Sequence, residues 1–219
     1  MQETIHDLTA QTVERYSRRY HDLGYHVRTL GWGTTEQQRH RFAMTLTLVL
    51  DLTGAEVVDF GCGFGDYYDF LQEAGVPLKS YLGLDINPDL LTEARRRHAG
   101  ESRTAFAAMD LTEDQDGEPF GDVGVMLGVL NFNWKDAYDN EAYSQRLITR
   151  AFTRVRHALV VDFLSARLSP DYPREDFVYY HEPTRLLDFA LSLTPDVTLK
   201  HDYQPIPQKE FMLLLRKPL

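Results

Sequence analysis

From residue 55 onward, short apolar runs alternate with amphipathic stretches, and this alternation constrains the fold more than any other feature of the sequence. Such alternation is typical of an α/β protein whose parallel sheet is built from β–α units. The runs predicted as strands cover residues 55–60, 80–85, 104–110, 121–128, 157–165, 197–203 and 210–216. The predicted helices between them cover about 66–75, 88–99, 138–156 and 183–193. The connection between the last two strands is too short for a crossover helix, so we expect an antiparallel pair after five parallel strands.

Residues 1–50 precede this pattern and are predicted to form a helical extension. Apolar residues recur at helical spacing from Val13 to Leu23, and Gly24 then offers a stop signal. A second helix is expected from Thr34 through Leu50. Because no repeat or low-complexity linker interrupts the 219 residues, the sequence predicts one domain, a helical cap over 1–50 and a core over 51–219.

The charge balance disfavours a nucleic-acid partner. The chain has 23 Lys and Arg against 33 Asp and Glu, a formal net charge of −10, which repels a phosphate backbone. Its single cysteine, Cys62, excludes an intrachain disulfide and favours a reducing compartment. The longest apolar stretch falls short of the ~20 residues that a membrane span needs. We therefore expect a cytoplasmic protein without a membrane partner.

The strongest local motif is VVDFGCGFGD, in which a predicted buried strand runs directly into a glycine-rich turn. Gly61, Gly63 and Gly65 allow the backbone to bend sharply and to approach a ligand closely. Dinucleotide-binding turns have the pattern G-x-G-x-x-G, whereas here the third glycine comes one residue earlier, which disfavours a nicotinamide or flavin cofactor. Asp59, at the end of the strand, would repel a pyrophosphate and attract an ammonium group.

This segment resembles motif I of the class I methyltransferases that use S-adenosylmethionine (SAM), in which an acidic residue is followed by G-x-G-x-G. SAM carries two positive groups, an ammonium and a sulfonium. The resemblance places Gly61, Cys62, Gly63 and Gly65 at the cofactor. It implies a Rossmann-like three-layer sandwich with a mostly parallel seven-stranded sheet. It also implies transfer of the methyl group to an O or N atom of a small-molecule acceptor, leaving S-adenosylhomocysteine (SAH).

Two further strand ends agree with this resemblance. Asp85 follows the second strand, where the family binds the ribose diol, and Ile86 is similar to the residue that packs on adenine. Asp110 follows the third strand, where a polar residue reads the adenine amino group and the amide of Leu111 takes a ring nitrogen. A different interpretation of Asp85 is a helix cap before Pro88.

The remaining candidates for cofactor binding lie outside the ends of the first three predicted strands. Gly128 ends the fourth predicted strand, where methyltransferases meet both cofactor and acceptor. Arg41 is a candidate to bind the carboxylate of SAM in a bidentate manner. Trp32 either covers the cofactor or packs in the core.

Candidate residues for acceptor chemistry are fewer. His181 and His201 are possible acid/base groups, because histidine titrates near neutrality, and Asn131 is a candidate to orient the acceptor. His40 and His98 are interpreted as solvated helix residues. No histidine, cysteine and carboxylate spacing suggests zinc, so no metal is expected.

The segment SARLSPDYPREDFVYYH, residues 165–181, combines prolines with several aromatic residues. It predicts a lid over a small acceptor, formed by Tyr172, Phe177, Tyr179 and Tyr180, although ordinary core packing is the alternative. Two other functions stay open: a SAM-binding module without catalysis, and a nicotinamide-dependent oxidoreductase. A monomer or a homodimer is expected.

Overall fold

The computed structural model describes residues 4–48, 50–113, 117–168, 174–202 and 209–218, which form one seven-stranded sheet with helices on both faces. The strands are β1 (Glu56–Phe60), β2 (Ser80–Asp85), β3 (Thr104–Ala108), β4 (Gly121–Met126), β5 (Val155–Leu164), β6 (Asp196–Lys200) and β7 (Glu210–Arg216). The helices are α1 (Ile5–Leu23), α2 (Thr35–Thr45), α3 (Asp66–Glu73), α4 (Pro88–Arg97), α5 (Asn140–Thr153) and α6 (Pro183–Leu193).

The strand order is β3-β2-β1-β4-β5-β7-β6. Strands β1 to β5 pair in parallel, whereas β7 pairs antiparallel with both β5 and β6. The predicted antiparallel pair at the end of the chain is therefore confirmed, and β7 lies between β5 and β6. The chain winds outward in opposite directions from β1 and β4, so a crevice opens between their carboxyl ends, where α/β sheets bind ligands.

Alternating side chains of the strands build a separate apolar core on each face of the sheet. Val160 of β5 packs in the core that includes Phe42 of α2 and the aromatic residues of α3. Its neighbour Val161 packs in the other core, with Leu147 of α5 and Leu186 of α6. Burial of successive residues on opposite faces explains why the central strands are almost uniformly apolar. The predicted three-layer architecture is confirmed.

The N-terminal extension forms two helices, and α1 packs against α4. Helix α1 starts at a capping box, in which Thr4 and Asp7 bond each other's backbone N–H groups, and it ends before Gly24 as predicted. Asn87, which precedes α4, fixes α1 by donating from Nδ2 to the carbonyl of Val13 at 3.0 Å. Helix α2 ends at Thr45, earlier than the predicted end at Leu50.

Strands β3 and β4 each end two residues earlier than predicted, and both differences concern candidate site residues. Strand β3 ends at Ala108, so Asp110 lies in the turn that follows it, and β4 ends at Met126, so Gly128 lies in a loop. No helix within the described ranges is long and apolar enough to cross a membrane.

Candidate active site

The glycine-rich turn leads directly from β1 into α3 at the centre of the sheet. Gly61, Gly63 and Gly65 have φ values of 84°, 54° and 81°, in the left-handed region that favours glycine. A Cβ added to Gly61 would lie 2.5 Å from Cγ2 of Val129, and one added to Gly63 would lie 2.8 Å from Leu30. The turn therefore requires glycine both for its backbone conformation and for the close approach of neighbouring elements.

Asp59 lies at the end of β1 beneath this turn and is 4% exposed. The Tyr81 hydroxyl donates a hydrogen bond to its Oδ2 at 2.5 Å. Burial raises the pKa of Asp59 to about 7, and the negative charges of Asp85 and Asp66 act in the same direction. The carboxyl group thus titrates near neutral pH, and a positive ligand would hold it ionised.

Asp85 fixes the glycine turn from the end of β2. Its Oδ2 accepts from the Gly63 N–H at 2.9 Å, and its Oδ1 accepts from the Asn87 N–H at 2.8 Å. The interpretation of Asp85 as a helix cap is wrong, because the side chain of Asn87 caps α4 by accepting from the N–H groups of Asp89 and Leu90. Burial raises the pKa of Asp85. Each carboxylate oxygen retains acceptor capacity, since it has two lone pairs.

Asp66 opens α3 and is held by residues from the N-terminal region. Tyr25 donates to its Oδ1 at 2.9 Å and Gln38 donates to its Oδ2 at 3.1 Å. Burial raises the pKa of this carboxyl group as well. The N-terminal extension is therefore attached to the glycine turn by direct hydrogen bonds.

The three carboxyl groups surround a cavity that we call the acidic cavity, whose empty space, including the part open to solvent, is about 980 Å³. No lysine, arginine or histidine is among the described residues that line it. Of the three carboxyl groups, Asp66 has a cation beside it, because the guanidinium of Arg97 lies 4.0 Å from its Oδ1. Carboxylates in a largely apolar cavity favour a cationic ligand, because such a ligand offsets the cost of their desolvation. Eight of the residues predicted to bind the cofactor line this cavity, namely Asp59, Gly61, Cys62, Gly63, Asp85, Ile86, Leu111 and Gly128.

Three other predicted cofactor residues do not line the acidic cavity. Gly65 ends the turn, where a Cβ would lie 2.9 Å from Phe106. Asp110 accepts from the Thr112 N–H at 2.7 Å and stabilises its own turn.

Arg41, the third of these residues, is buried in α2. It forms an ion pair with Glu210, and its guanidinium lies 4.5 Å from the ring centroid of Trp32. It lines a neighbouring cavity instead of the acidic one. The contact predicted between Arg41 and the cofactor carboxylate stays a prediction.

A second cavity adjoins the acidic cavity, and we call it the outer cavity. Its empty space, including the part open to solvent, is about 1280 Å³. The two share Tyr16, Leu30, Trp32, Gly128 and Val129 as walls. The side chain of Trp32 is buried, as the packing interpretation expected, and it also lines both cavities, whereas its contact with the cofactor stays a prediction. The loop at Gly128 passes so close to it that a Cβ there would lie 2.6 Å from Cζ2 of Trp32.

Of the three residues predicted to act on the acceptor, only Asn131 lines the outer cavity. Its Oδ1 accepts from the Leu164 N–H at 3.1 Å. His181 and His201 line none of the cavities found at this site.

The two histidines contact serine hydroxyls instead. Nε2 of His181 lies 3.0 Å from Oγ of Ser144, and burial lowers its pKa to about 3. Nε2 of His201 lies 2.8 Å from Oγ of Ser165, and burial also lowers its pKa. The structure therefore does not bring either histidine to the position that a general base requires.

The predicted aromatic lid is corrected in part. Phe177 lines the outer cavity and is 54% exposed, whereas Tyr180 is buried beside Leu164 and Val178. Tyr179 packs edge-on against His181, with ring centroids 4.7 Å apart. Tyr172 lies outside the described residues.

Sequence reasoning placed His98 wrongly and missed several wall residues. His98 is 6% exposed, and its Nε2 lies 3.0 Å from a carboxylate oxygen of Asp69. Thr12 and Gln38 line the acidic cavity. Nothing in the sequence indicated this, because the two helices that carry them were predicted only as a helical extension. Within the described ranges, no group of three or more His, Cys, Asp or Glu side chains is placed to hold a metal ion.

Comparisons with known proteins agree with this geometry. Residues 58–147 match a family model described as "Methyltransferase domain". The chain is 27% identical over 143 residues to a malonyl-[acyl-carrier protein] O-methyltransferase from Pectobacterium atrosepticum, a match that covers 64% of this chain and 53% of that protein. The chain thus spans about half the length of this relative.

Solved structures are similar over nearly the whole chain. Magnesium protoporphyrin IX methyltransferase (ChlM) from Synechocystis PCC 6803, with bound SAH, has a TM-score of 0.64 at 16% identity and 96% coverage of both chains. The DhpI–SAH complex has a TM-score of 0.65 at 14% identity and 98% coverage of both. The N-methyltransferase NodS from Bradyrhizobium japonicum WM9, in complex with SAH, has a TM-score of 0.65 at 14% identity, covering 95% of this chain and 99% of that one. The chain therefore has the Rossmann-like fold of these methyltransferase structures, and its residues 58–147 are similar to the methyltransferase domain that the family model describes.

Proposed function

We propose that this chain transfers the methyl group of SAM to an O or N atom of a small-molecule acceptor, leaving SAH. The observation that carries the proposal is the arrangement of two adjoining cavities at the carboxyl ends of β1 and β4. One is acidic and borders the glycine turn, and the other opens beside it with a shared wall. A group-transfer enzyme needs such a pair, because two ligands must meet at one boundary.

The residues of the acidic cavity fit SAM. Asp59 and Asp66 offer buried negative charge to an ammonium group, and Asp85 keeps lone pairs for the hydroxyl groups of a ribose. Ile86 and Leu111 supply an apolar wall for a purine. When bound, SAM supplies a methyl carbon on a positively charged sulfur, which is already a reactive donor.

The chain's own contribution is to position the acceptor and to exclude water. Trp32, Val129 and Tyr16 form the wall between the two cavities, so an acceptor in the outer cavity is held against the boundary. No histidine lines either cavity within the described residues. We therefore propose that alignment of the acceptor, and not a histidine base, accounts for most of the rate enhancement.

The oxidoreductase alternative is disfavoured by the charge of the site. A dinucleotide carries a pyrophosphate, which three buried carboxyl groups would repel in a cavity that no described lysine, arginine or histidine lines. A SAM-binding module without catalysis would have no need of the outer cavity. We further propose that the protein acts in the cytoplasm, on a small molecule and not on nucleic acid, as a monomer or a homodimer.

Calorimetry with SAM and SAH, followed by transfer of a labelled methyl group to a panel of small molecules, tests the proposal. We expect SAH to bind more tightly than about 1 mM, which corresponds to −4.1 kcal/mol. The variant Asp59→Asn serves as a matched control, because it removes the charge and keeps the shape. Failure to bind either SAM or SAH at this concentration would contradict the proposal, and binding of both without any labelled product would support the non-catalytic alternative.

A further inference from the structure

Two arginines of α1 line the outer cavity. Arg15 and Arg19 are four residues apart, so they project from the same face of the helix. Neither forms an ion pair with a carboxylate of the described residues. Arg18, between them in sequence, differs because it pairs with Glu14 at 2.7 Å.

The surroundings of Arg15 make its unpaired charge costly. The side chain is half-buried, and its guanidinium lies 4.2 Å from the ring centroid of Phe132. Burial lowers the pKa of Arg15, and the positive charge of Arg19 lowers it further. Two cations that are close together and partly desolvated favour an anion between them, since the anion removes both penalties.

The other charged residues of the cavity do not cancel this excess. Arg41 is neutralised by its ion pair with Glu210. Glu175 is the one acidic residue among the described residues that line the cavity. Arg15 and Arg19 together against Glu175 leave a charge of +1, in a chain whose formal net charge is −10.

The rest of the outer cavity is apolar. Trp32, Phe132, Leu164, Phe177 and Val178 contribute rings and alkyl groups to its walls. A ligand that fits this lining combines an anionic group with an apolar body. Guanidinium groups bind carboxylate and phosphate in bidentate geometry, so either group satisfies the two arginines.

We propose that the outer cavity binds an anionic acceptor, a carboxylate or a phosphate with an apolar body, and that Arg15 and Arg19 bind its negative group. The identity of this ligand as the acceptor rests on the proposed methyltransferase function, whereas the anion site itself does not. The two cavities then sort their ligands by charge. The acidic cavity repels the anion, and the arginines of the outer cavity repel the cationic cofactor.

The test is a titration of the SAH-saturated protein with benzoate, with phenyl phosphate and with the neutral benzamide. Binding is measured by calorimetry and by the NMR signals of the arginine Nε–H groups. We expect both anions to bind and benzamide to bind at least about tenfold more weakly, because it cannot form charge-assisted hydrogen bonds with the arginines. The relative affinities of benzoate and phenyl phosphate distinguish the two anionic classes.

The variants Arg15→Gln and Arg19→Gln, singly and together, locate the site. Each is expected to weaken anion binding by about tenfold, while Arg18→Gln on the same helix leaves it unchanged. SAH affinity measured on each variant shows whether the fold and the acidic cavity are intact. A variant that loses SAH binding is replaced by the corresponding Arg→Lys change, which keeps the charge and is expected to retain part of the anion affinity.

The outcomes separate the two proposals. The anion site is overturned if benzamide binds as well as benzoate, if neither anion binds at about 50 mM, or if the double variant binds anions like the wild type. If SAH binds and the anions do not, only this inference fails. If the anions bind through Arg15 and Arg19 in a protein that binds neither SAM nor SAH, the proposed function fails and the anion site remains.

Discussion

If the acidic cavity binds SAM and SAH as proposed, Asp59 should make the affinity for them depend on pH. Burial raises the pKa of its carboxyl group to about 7, so that near neutral pH the ligand-free protein is a mixture of ionised and protonated forms. A ligand that carries an ammonium group binds the ionised form. Affinity for SAH should therefore fall as the pH drops below 7, by about tenfold or 1.36 kcal/mol for each pH unit.

The expected change is large enough for calorimetry. With a pKa of about 7 and binding to the ionised form alone, the dissociation constant for SAH should be about 25-fold higher at pH 5.5 than at pH 7.5. Asp59→Asn should bind SAH weakly with a flatter profile. Asp85 and Asp66 are unchanged in that variant, so the difference between the two profiles reports Asp59 alone. Equal pH dependence of the variant and the wild type would refute the reasoning.

Tyr81 offers an independent check on the same carboxyl group. Its hydroxyl donates to Asp59 at 2.5 Å and thereby lowers the pKa that burial raises. Tyr81→Phe should move the onset of the affinity loss to higher pH. A shift to lower pH would contradict the assignment of the titration to Asp59.

The same carboxyl group should reduce the stability of the ligand-free protein. Its folded-state pKa lies above the usual value of 3.8, so its contribution favours folding at low pH and is lost as the pH rises through about 7. The loss accumulates between pH 3.8 and about pH 7, where it is nearly complete, and amounts to about 4 kcal/mol, from roughly three pH units at 1.36 kcal/mol each. Asp59→Asn should therefore raise the free energy of unfolding at pH 8 while it weakens SAH binding. Denaturant unfolding at pH 8 and at pH 5 measures the difference.

Three further substitutions test other contacts of the site. Asp85→Ala should weaken SAH binding by about 1.5–3 kcal/mol, measured by calorimetry, whereas lower thermal stability with unchanged affinity would mean that Asp85 only anchors the turn. Gly63→Val should abolish binding, because φ is positive there and a Cβ would meet Leu30; near-normal affinity would contradict the geometry of the turn. Arg41→Met should cost about 3–5 kcal/mol of unfolding free energy, since it leaves Glu210 buried without its cation, and an unchanged urea midpoint would refute this role.

The features that sequence reasoning predicted correctly are those whose cause is local. Asp59, the glycine turn and Asp85 each lie at the end of an apolar run, and the carboxyl ends of parallel strands meet at one edge of the sheet. Their convergence therefore followed from the order of strands and helices. The antiparallel β7 was predictable for a similar reason, because the length of one connection excluded a crossover.

The errors arose where the deciding partner is distant in sequence. The ion pair of Arg41 with Glu210 could not be foreseen for the same reason, although the predicted contact of Arg41 with the cofactor stays a prediction. His98 was expected on a solvated surface, but Asp69 of the preceding helix meets its ring. His181 was considered a base from its usual pKa, and burial against the sheet removes that capacity. In each case tertiary burial, which sequence spacing does not report, decided the outcome.

The net charge of the chain and the charges that line a cavity act on ligands of different size. A net charge of −10 disfavours long phosphate polymers, because such a partner meets the field of the whole surface. A small ligand inside a cavity meets mainly the charges that line it, since exposed charges farther than about 10 Å away are screened by salt. The acidic cavity and the pair Arg15 and Arg19 have opposite signs within one site. The overall acidity of the chain is therefore compatible with an anionic acceptor, and the charge of the acceptor must be inferred from the arginines that line the outer cavity.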